Sequence, residues 1–289
     1  MATLIKLVQG SAEWHAHRAQ YRNASETAAV MGLSPWQTPY QLWALKTGRS
    51  QPTINPAMAR GTALEPLARA AYETRTDQVM QPLVLLDGDY SASLDGMTFD
   101  GQLIVEIKVP MKGKASSLWQ TVSRGQVPEH YGWQIEHQLM VSNAAQAHLY
   151  VYDGDSDSGL LLAIQPQPER WAAIHAAWDT FMGYVQHDTP PPLTDRDKRV
   201  RTDGDWVLAS ETYLQLKRKA DALDAQLEDA KQALLQLATH ASETGNGVTV
   251  TKFWKQGSVD YKRIPELGAV NLDDYRGQGR FETRITIGK

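Results

Sequence analysis

The chain has 289 residues, no cysteine and a formal net charge of −4, which excludes disulfides, thiolate metal sites and cysteine nucleophiles. Hydrophobic residues make up 42% of it. That suffices for a sizeable core, yet no apolar run approaches the roughly 20 residues needed to span a bilayer, and the N-terminus lacks a signal-peptide pattern, so a cytoplasmic protein without membrane contact is expected. Charge does not advertise a nucleic-acid binder: residues 1–195 hold 13 Lys and Arg against 19 Asp and Glu, and residues 196–289 hold 16 against 14.

In chain order, Ser11 caps a helix predicted over about 11–20, and a second runs from Ser25-Glu26 to Gly32. Residues 57–75 read as a helix with an apolar stripe at Leu64, Leu67, Ala68, Ala71 and Tyr72; Pro66 must kink it or lie in its first turn. Strands are predicted at 80–86 and 89–94 around the turn Asp87-Gly88, and a third at 103–109. Helices at 113–123 and 129–143, strands at 146–153 and 158–165, and a helix at 167–186 complete an α/β (α+β) pattern with a central mixed sheet flanked by helices. The prolines at 190–192 bound a core domain of 1–194, leaving 195–289 to pack on the core or at a subunit interface. In that segment Leu216, Ala220, Leu223, Leu227, Ala230, Leu234 and Leu237 form a heptad seam, for a helix on its own core or an intermolecular coiled coil. Residues 247–262 resemble a hairpin, where Lys252, Phe253, Trp254, Lys255, Tyr261, Lys262 and Arg263 gather.

The chemically informative segment is Ser93-Leu94-Asp95-Gly96 followed by Val105-Glu106-Ile107-Lys108-Val109. Strand alternation places Glu106 and Lys108 on one face and Val105, Ile107 and Val109 on the other. Asp95, at the end of the preceding strand, can meet Glu106 at the same sheet edge. Two such carboxylates repel unless a cation lies between them, and a hard divalent ion such as Mg²⁺ suits oxygen ligands. Lys108 is then placed to position or deprotonate a water, and Glu65 is a further carboxylate, bound directly or through water. By itself an acid-x-Lys strand fits a half-exposed edge with a salt bridge better; the Asp at a strand end about ten residues earlier brings the functional reading level with it.

Asp95…Glu106-Ile107-Lys108 resembles the core of the PD-(D/E)XK nuclease superfamily. Around it, Trp14-x-x-x-Arg18, Ala24-Ser25-Glu26-Thr27-Ala28-Ala29, Arg60-Gly61-Thr62-Ala63-Leu64-Glu65-Pro66 and Tyr131-Gly132-Trp133-Gln134 are similar, in order, to segments of the YqaJ-like, lambda-exonuclease-type viral recombinase family. The resemblance spans about residues 10–152 and implies a restriction-endonuclease-like core. It implies an exonuclease that digests the 5′-ended strand of linear duplex DNA to 5′-mononucleotides and leaves a 3′ tail. It further implies a ring-shaped homotrimer on double-stranded DNA ends, a single-strand annealing partner, and the cytoplasm of a bacterial host if the gene is phage-borne. Carried over by residue, Asp95, Glu106 and the Ile107 carbonyl match the family's metal ligands for Mg²⁺, with Mn²⁺ as a substitute. Lys108 matches the catalytic lysine, Glu65 the additional acid, and Gln134 a catalytic-site glutamine. Arg18, Ser25, Ser93, Gln134 and Trp14 match positions around the DNA end and its 5′-phosphate.

The residues agree in kind with those assignments. Arginine presents a rigid fork to phosphate oxygens, Ser25 adds a hydroxyl at a helix start, and Tyr131, Gln134 and His137 can share a helix face. Trp14 and Trp36 are candidates to wedge or stack DNA. Phosphate-loop, Gly-x-Ser-x-Gly and His-Glu-x-x-His signatures are missing from the sequence, and Gly245-Asn246-Gly247 is a turn signal. Two rivals stay open: an endonuclease on the same core, and a non-catalytic DNA-end-binding recombination scaffold.

Overall fold

The computed structural model of the chain describes residues 2–53, 55–154, 156, 158–258 and 264–270. It divides into two compact units, 1–198 and 199–289, which are taken separately.

In the first unit, β1 (Thr3–Ile5) leads to α1 (Ala12–Gln20), β2 (Arg22–Asn23) and α2 (Thr27–Val30), then to α3 (Pro39–Lys46) and α4 (Pro56–Thr76). Next come β3 (Gln81–Asp87), β4 (Tyr90–Met97) and β5 (Leu103–Lys108), followed by α5 (Ser117–Ser123) and α6 (Glu129–Ser142). The last elements are β6 (Gln146–Tyr152), β7 (Gly159–Ile164) and α7 (Trp171–Gln186). The sheet order is β1-β3-β4-β5-β6-β7, with β2 alongside β4. Pairs β5–β6 and β2–β4 are parallel and the rest antiparallel, so the expected mixed sheet flanked by helices is what the chain forms.

Local chemistry sets the helix starts. Ser11 accepts the Trp14 N–H ahead of α1, and Thr38 with Gln41 makes a capping box ahead of α3, a helix the sequence reading did not anticipate. Asn55 caps α4 and Pro56 opens it. One sheet face packs Val105, Ile107, Tyr150 and Tyr152 against Ala68 and Tyr72 of α4. The other packs Leu94, Ile104, Leu149 and Val151 against Ile135 and Leu139 of α6. Fully burying each such aliphatic side chain contributes about 1.5–3 kcal/mol. Among the described residues no helix is long and apolar enough to cross a membrane.

Several sequence expectations are corrected. Of the two places expected for Pro66, the first turn is excluded: α4 starts at Pro56 and runs through Pro66, leaving the Thr62 carbonyl without its usual amide donor. The single helix expected at 113–123 is a 3-10 turn, Gly113–Ala115, then α5, because Ser116 is extended and caps α5. Ser25 is not a helix cap: it lies inside a 3-10 turn, Ala24–Glu26, whose cap is Asn23.

The second unit holds α8 (Gly204–Leu237) and a hairpin of β8 (Ser242–Gly245) with β9 (Val248–Thr251). The hairpin is centred on Asn246-Gly247, both at positive φ, and not within 247–262, because this dipeptide supplies the tight turn. Among the described residues α8 buries no side chain. Lys252 to Lys255 follow β9 outside any strand, with Phe253 and Trp254 exposed. Tyr261, Lys262 and Arg263 lie outside the described residues.

Candidate active site

Asp95 owes its place to an irregularity that alternation does not reveal. Between Leu83↔Leu94 and Gln81↔Met97, β3 advances two residues while β4 advances three. One extra residue is therefore accommodated at Asp95-Gly96, as in a β-bulge, which re-aims side chains. Its effect is visible in the core: Leu94 and Met97 both join the cluster on the α6 face, although strict alternation would separate them. Gly96 is needed for space, since a Cβ there would lie 2.7 Å from the Met80 Cβ and 2.9 Å from the Val105 Cγ1.

Beyond Gly96↔Val105 the β4–β5 ladder stops, and continuing its register sets Asp95 opposite Glu106. In the opening, Asp95 Oδ2 accepts the Ile107 N–H at 2.7 Å. The N–H and C=O of one strand residue point to the same side, so the Ile107 carbonyl faces this opening too. Glu106 is buried, and its carboxylate is held from three directions. Lys108 Nζ and Gln134 Nε2 (2.7 Å) donate to Oε1, and Gln138 Nε2 donates to Oε2 at 2.6 Å. Lys108 also lies 5.0 Å from the Tyr131 ring centroid. Glu65, on α4, pairs with Arg69 at 3.3 Å, and Arg69 donates to the Asp95 carbonyl at 2.7 Å.

The electrostatics follow from this crowding. Burial, then the Glu106 carboxylate, push the Asp95 carboxyl well above its ordinary range. Burial raises Glu65 as well; Arg69 opposes the rise and Glu106 adds to it. Desolvation alone would lower Lys108, but Glu106, Tyr131 and Asp95 outweigh it and hold the lysine above its usual value. Lys108 donates to Glu106, which holds its amino group beside the carboxylate pair.

Two opposed carboxylates with a backbone carbonyl between them fit a hard divalent ion, which would relieve the repulsion on Asp95. Among the described residues no three His, Asp or Glu side chains converge into a metal cage. The fitting set is therefore Asp95, Glu106 and the Ile107 carbonyl, completed by solvent. Glu65, engaged by Arg69, suits a contact through water.

A second cluster adjoins the first along β4. Trp14 Nε1 donates to Ser93 Oγ at 3.0 Å, and the Arg18 guanidinium lies 4.6 Å over the Trp14 ring. Arg18 Nη1 donates to Ser25 Oγ at 3.0 Å and Nη2 to Glu26 Oε1 at 2.8 Å. Arg18, Ser25, Ser93 and Trp14 are thereby brought together. Gln138 ties this cluster to the carboxylates, since its Nε2 also reaches the Ser93 carbonyl at 3.3 Å. Burial works against the Glu26 carboxylate, but Lys46, then Arg18 and Asn23, outweigh it and hold it below its ordinary range.

The helix face of α6 turned to the site is Tyr131, Gln134 and Gln138. His137 does not share it: it is buried against Thr27, with Nδ1 2.6 Å from Oγ1. Trp14 has one face under Arg18, whereas Trp36 is exposed and leans on His130 and Tyr131. Sequence reasoning missed Arg69, Gln138 and Lys46. The spacings Glu65–Arg69 and Gln134–Gln138, four residues each on one helix, were the available signal for the first two. Lys46 gave none.

Residues 13–145 match the family model described as YqaJ-like viral recombinase domain, so the resemblance read from the sequence is borne out over that segment. The chain is 26% identical over 136 residues to protein YqaJ of Bacillus subtilis (strain 168), covering 45% of this chain and 41% of that one. It thus spans about two fifths of the length of that relative. Among solved structures it is similar to an alkaline exonuclease (LHK-Exo) from Laribacter hongkongensis, with 26% identity, a TM-score of 0.53, and coverage of 62% of this chain and 94% of that one. It is also similar in fold to LHK-Exo in complex with dAMP, with 24% identity, a TM-score of 0.52, and the same coverage of 62% and 94%.

Proposed function

We propose, from the YqaJ-like viral recombinase domain carried by residues 13–145, that this chain is a metal-dependent exodeoxyribonuclease. Its substrate is linear duplex DNA, digested from the 5′-ended strand to 5′-mononucleotides, leaving 3′ single-stranded tails for recombination. The observation that carries this reading is the meeting of Asp95, Glu106 and Lys108 where β4 and β5 part company.

Each residue has a task in that chemistry. Asp95, Glu106 and the Ile107 carbonyl would hold Mg²⁺, or Mn²⁺ in its place. Bound there, the ion supplies Lewis-acid charge for the scissile phosphate and a more acidic water. Lys108 orients the attacking water and offers its positive charge to the phosphate oxygens. Gln134 and Gln138 fix the Glu106 carboxylate by donating to each of its oxygens. Glu65 and Arg69 brace the opposite side. Arg18, Ser25 and Ser93 receive the terminal 5′-phosphate, where a guanidinium fork and two hydroxyls match its oxygens. By the same resemblance the enzyme works as a ring-shaped trimer beside a single-strand annealing protein, in the cytoplasm.

The test is an end-labelled linear duplex with a 5′-phosphate beside a closed circle of the same sequence, each with and without Mg²⁺. Metal-dependent loss of the 5′-ended strand from the linear DNA alone is expected. Cutting of the circle would replace this reading with an endonuclease. No cleavage of either would replace it with an end-binding scaffold.

A further inference from the structure

Behind Arg18 lies an ion pair that neither the hydrolytic centre nor the phosphate contacts employ. Lys46, on α3, is 3% exposed in its side chain, and its Nζ lies 2.9 Å from Glu26 Oε2. The same ammonium donates to the carbonyls of Arg18 and Tyr21, each at 2.9 Å. Three donors meet three acceptors, so the cation is fully satisfied. Two of those acceptors belong to the C-terminal end of α1, where helix carbonyls lack internal partners and favour a cation. Asn23 Nδ2 adds a hydrogen bond to Glu26 Oε2 at 2.9 Å.

Stability alone does not account for this arrangement. Removing an ion pair from water is costly for each ion, and apolar side chains of similar volume often stabilise a core as well or better. Charge accounting suggests another purpose. Were Glu26 to face Arg18 alone, the carboxylate would neutralise the guanidinium and leave nothing net to attract an anion. With Lys46 present, one carboxylate faces two cations and one positive charge remains. Arg18 is the outer member, 21% exposed in its side chain against 3% for Lys46, so the surplus is presented there.

We propose that Lys46 is a positioning residue: by engaging Glu26 and the end of α1, it leaves the Arg18 fork oriented and positively charged towards a phosphate dianion at a DNA 5′ end. This rests on the reading of Arg18, Ser25 and Ser93 as the phosphate site. Lys46 itself touches no substrate. Its effect belongs to the discrimination between phosphorylated and unphosphorylated ends, not to the hydrolytic step.

The experiment measures kcat and KM on linear duplexes bearing a 5′-phosphate or a 5′-hydroxyl, with Mg²⁺, using the full chain. The proteins are the wild type, Arg18→Ala, Lys46→Met, Lys46→Arg and the double variant Glu26→Gln/Lys46→Met, each checked for folding by thermal unfolding. Lys46→Met should raise KM for the phosphorylated end by on the order of tenfold, with kcat and the KM for the hydroxyl end retained. Lys46→Arg should keep the preference. The double variant should regain it, because removing the carboxylate charge with the lysine restores one net positive charge. A merely structural role predicts the opposite, since the double change disturbs the interior more. If Lys46→Met does not fold, the arginine and double variants decide: a folded double variant without phosphate preference overturns the proposal. A folded Lys46→Met with wild-type preference overturns it too, while Arg18→Ala losing the preference would leave the phosphate site standing. If the wild type itself ignores the 5′-phosphate, the underlying reading falls first.

Discussion

Replacing Gly96 by alanine tests whether the Asp95-Gly96 irregularity positions the site. The new methyl carbon would lie 2.7 Å from the Met80 Cβ and 2.9 Å from the Val105 Cγ1, whereas comfortable carbon contacts are about 3.5–4.0 Å. Neither neighbour is the far end of a flexible chain, so relief requires roughly an ångström of movement between strands. Overpacking of this kind costs about 1–3 kcal/mol, and in a domain of this size that lowers Tm by roughly 2–12 °C. Asp95 is the adjoining residue and should move with the strand. A misplacement of about 1 Å can lower a rate by on the order of 100-fold. Thermal unfolding and metal-dependent release of nucleotides from linear duplex would be compared for Gly96→Ala, Gly183→Ala and the wild type. Gly183 lies within α7, and a methyl carbon added there would meet no atom within 4 Å, so alanine should leave Tm unchanged or raise it. Wild-type Tm and rate for Gly96→Ala would refute the steric argument. A lowered Tm with a wild-type rate would show that the bulge does not set the Asp95 geometry.

Lys108→Ala should abolish cleavage while DNA binding largely survives in a filter or mobility assay; equal loss of both would assign Lys108 mainly to phosphate contact. DNA affinity should fall steeply between low and moderate salt as phosphate contacts release counterions, and salt-indifferent binding would contradict the Arg18 cluster. Burial, helped by His175, depresses the His137 pKa to about 3. The unfolded chain therefore binds this proton below about pH 6.5 and the folded chain does not, so stability is lost as pH falls, by up to about 1.4 kcal/mol per unit down to pH 3. Tm against pH for the wild type and His137→Gln should diverge in that window, and parallel curves would count against a buried neutral imidazole. Light scattering should find a trimer; a monomer at working concentration would dispose of the ring.

The candidate site was legible early because it resides in residue types at local spacings. Glu106 and Lys108 share a face simply by being two apart on a strand, and the apolar residues between them find the α4 side as alternation requires. From Gln81 to Gln186 the order of strands and helices was readable from hydrophobic period and turn residues, whereas α3 and the short β1 and β2 were not. Less legible were features whose cause lies across the chain. The hairpin shifted because Asn246-Gly247 outweighed a basic and aromatic stretch in deciding where the turn falls. His137 left the expected face because Thr27, far away in sequence, supplies its hydrogen-bond partner.

The sequence by itself therefore determined the composition of the candidate site: a carboxylate pair, a lysine, a glutamine helix and an arginine with serines, all in recognisable order. Tertiary structure decided how they meet. An extra residue in β4 turns Asp95 towards the opening beside Ile107, because Met80 and Val105 leave room there only for glycine. Gln138 joins the carboxylates to Ser93, and Lys46 reaches Glu26 and the end of α1 from another helix. Such contacts depend on packing between distant segments, where burial strengthens each charge interaction and makes every unpaired group costly, and local spacing carries no record of them.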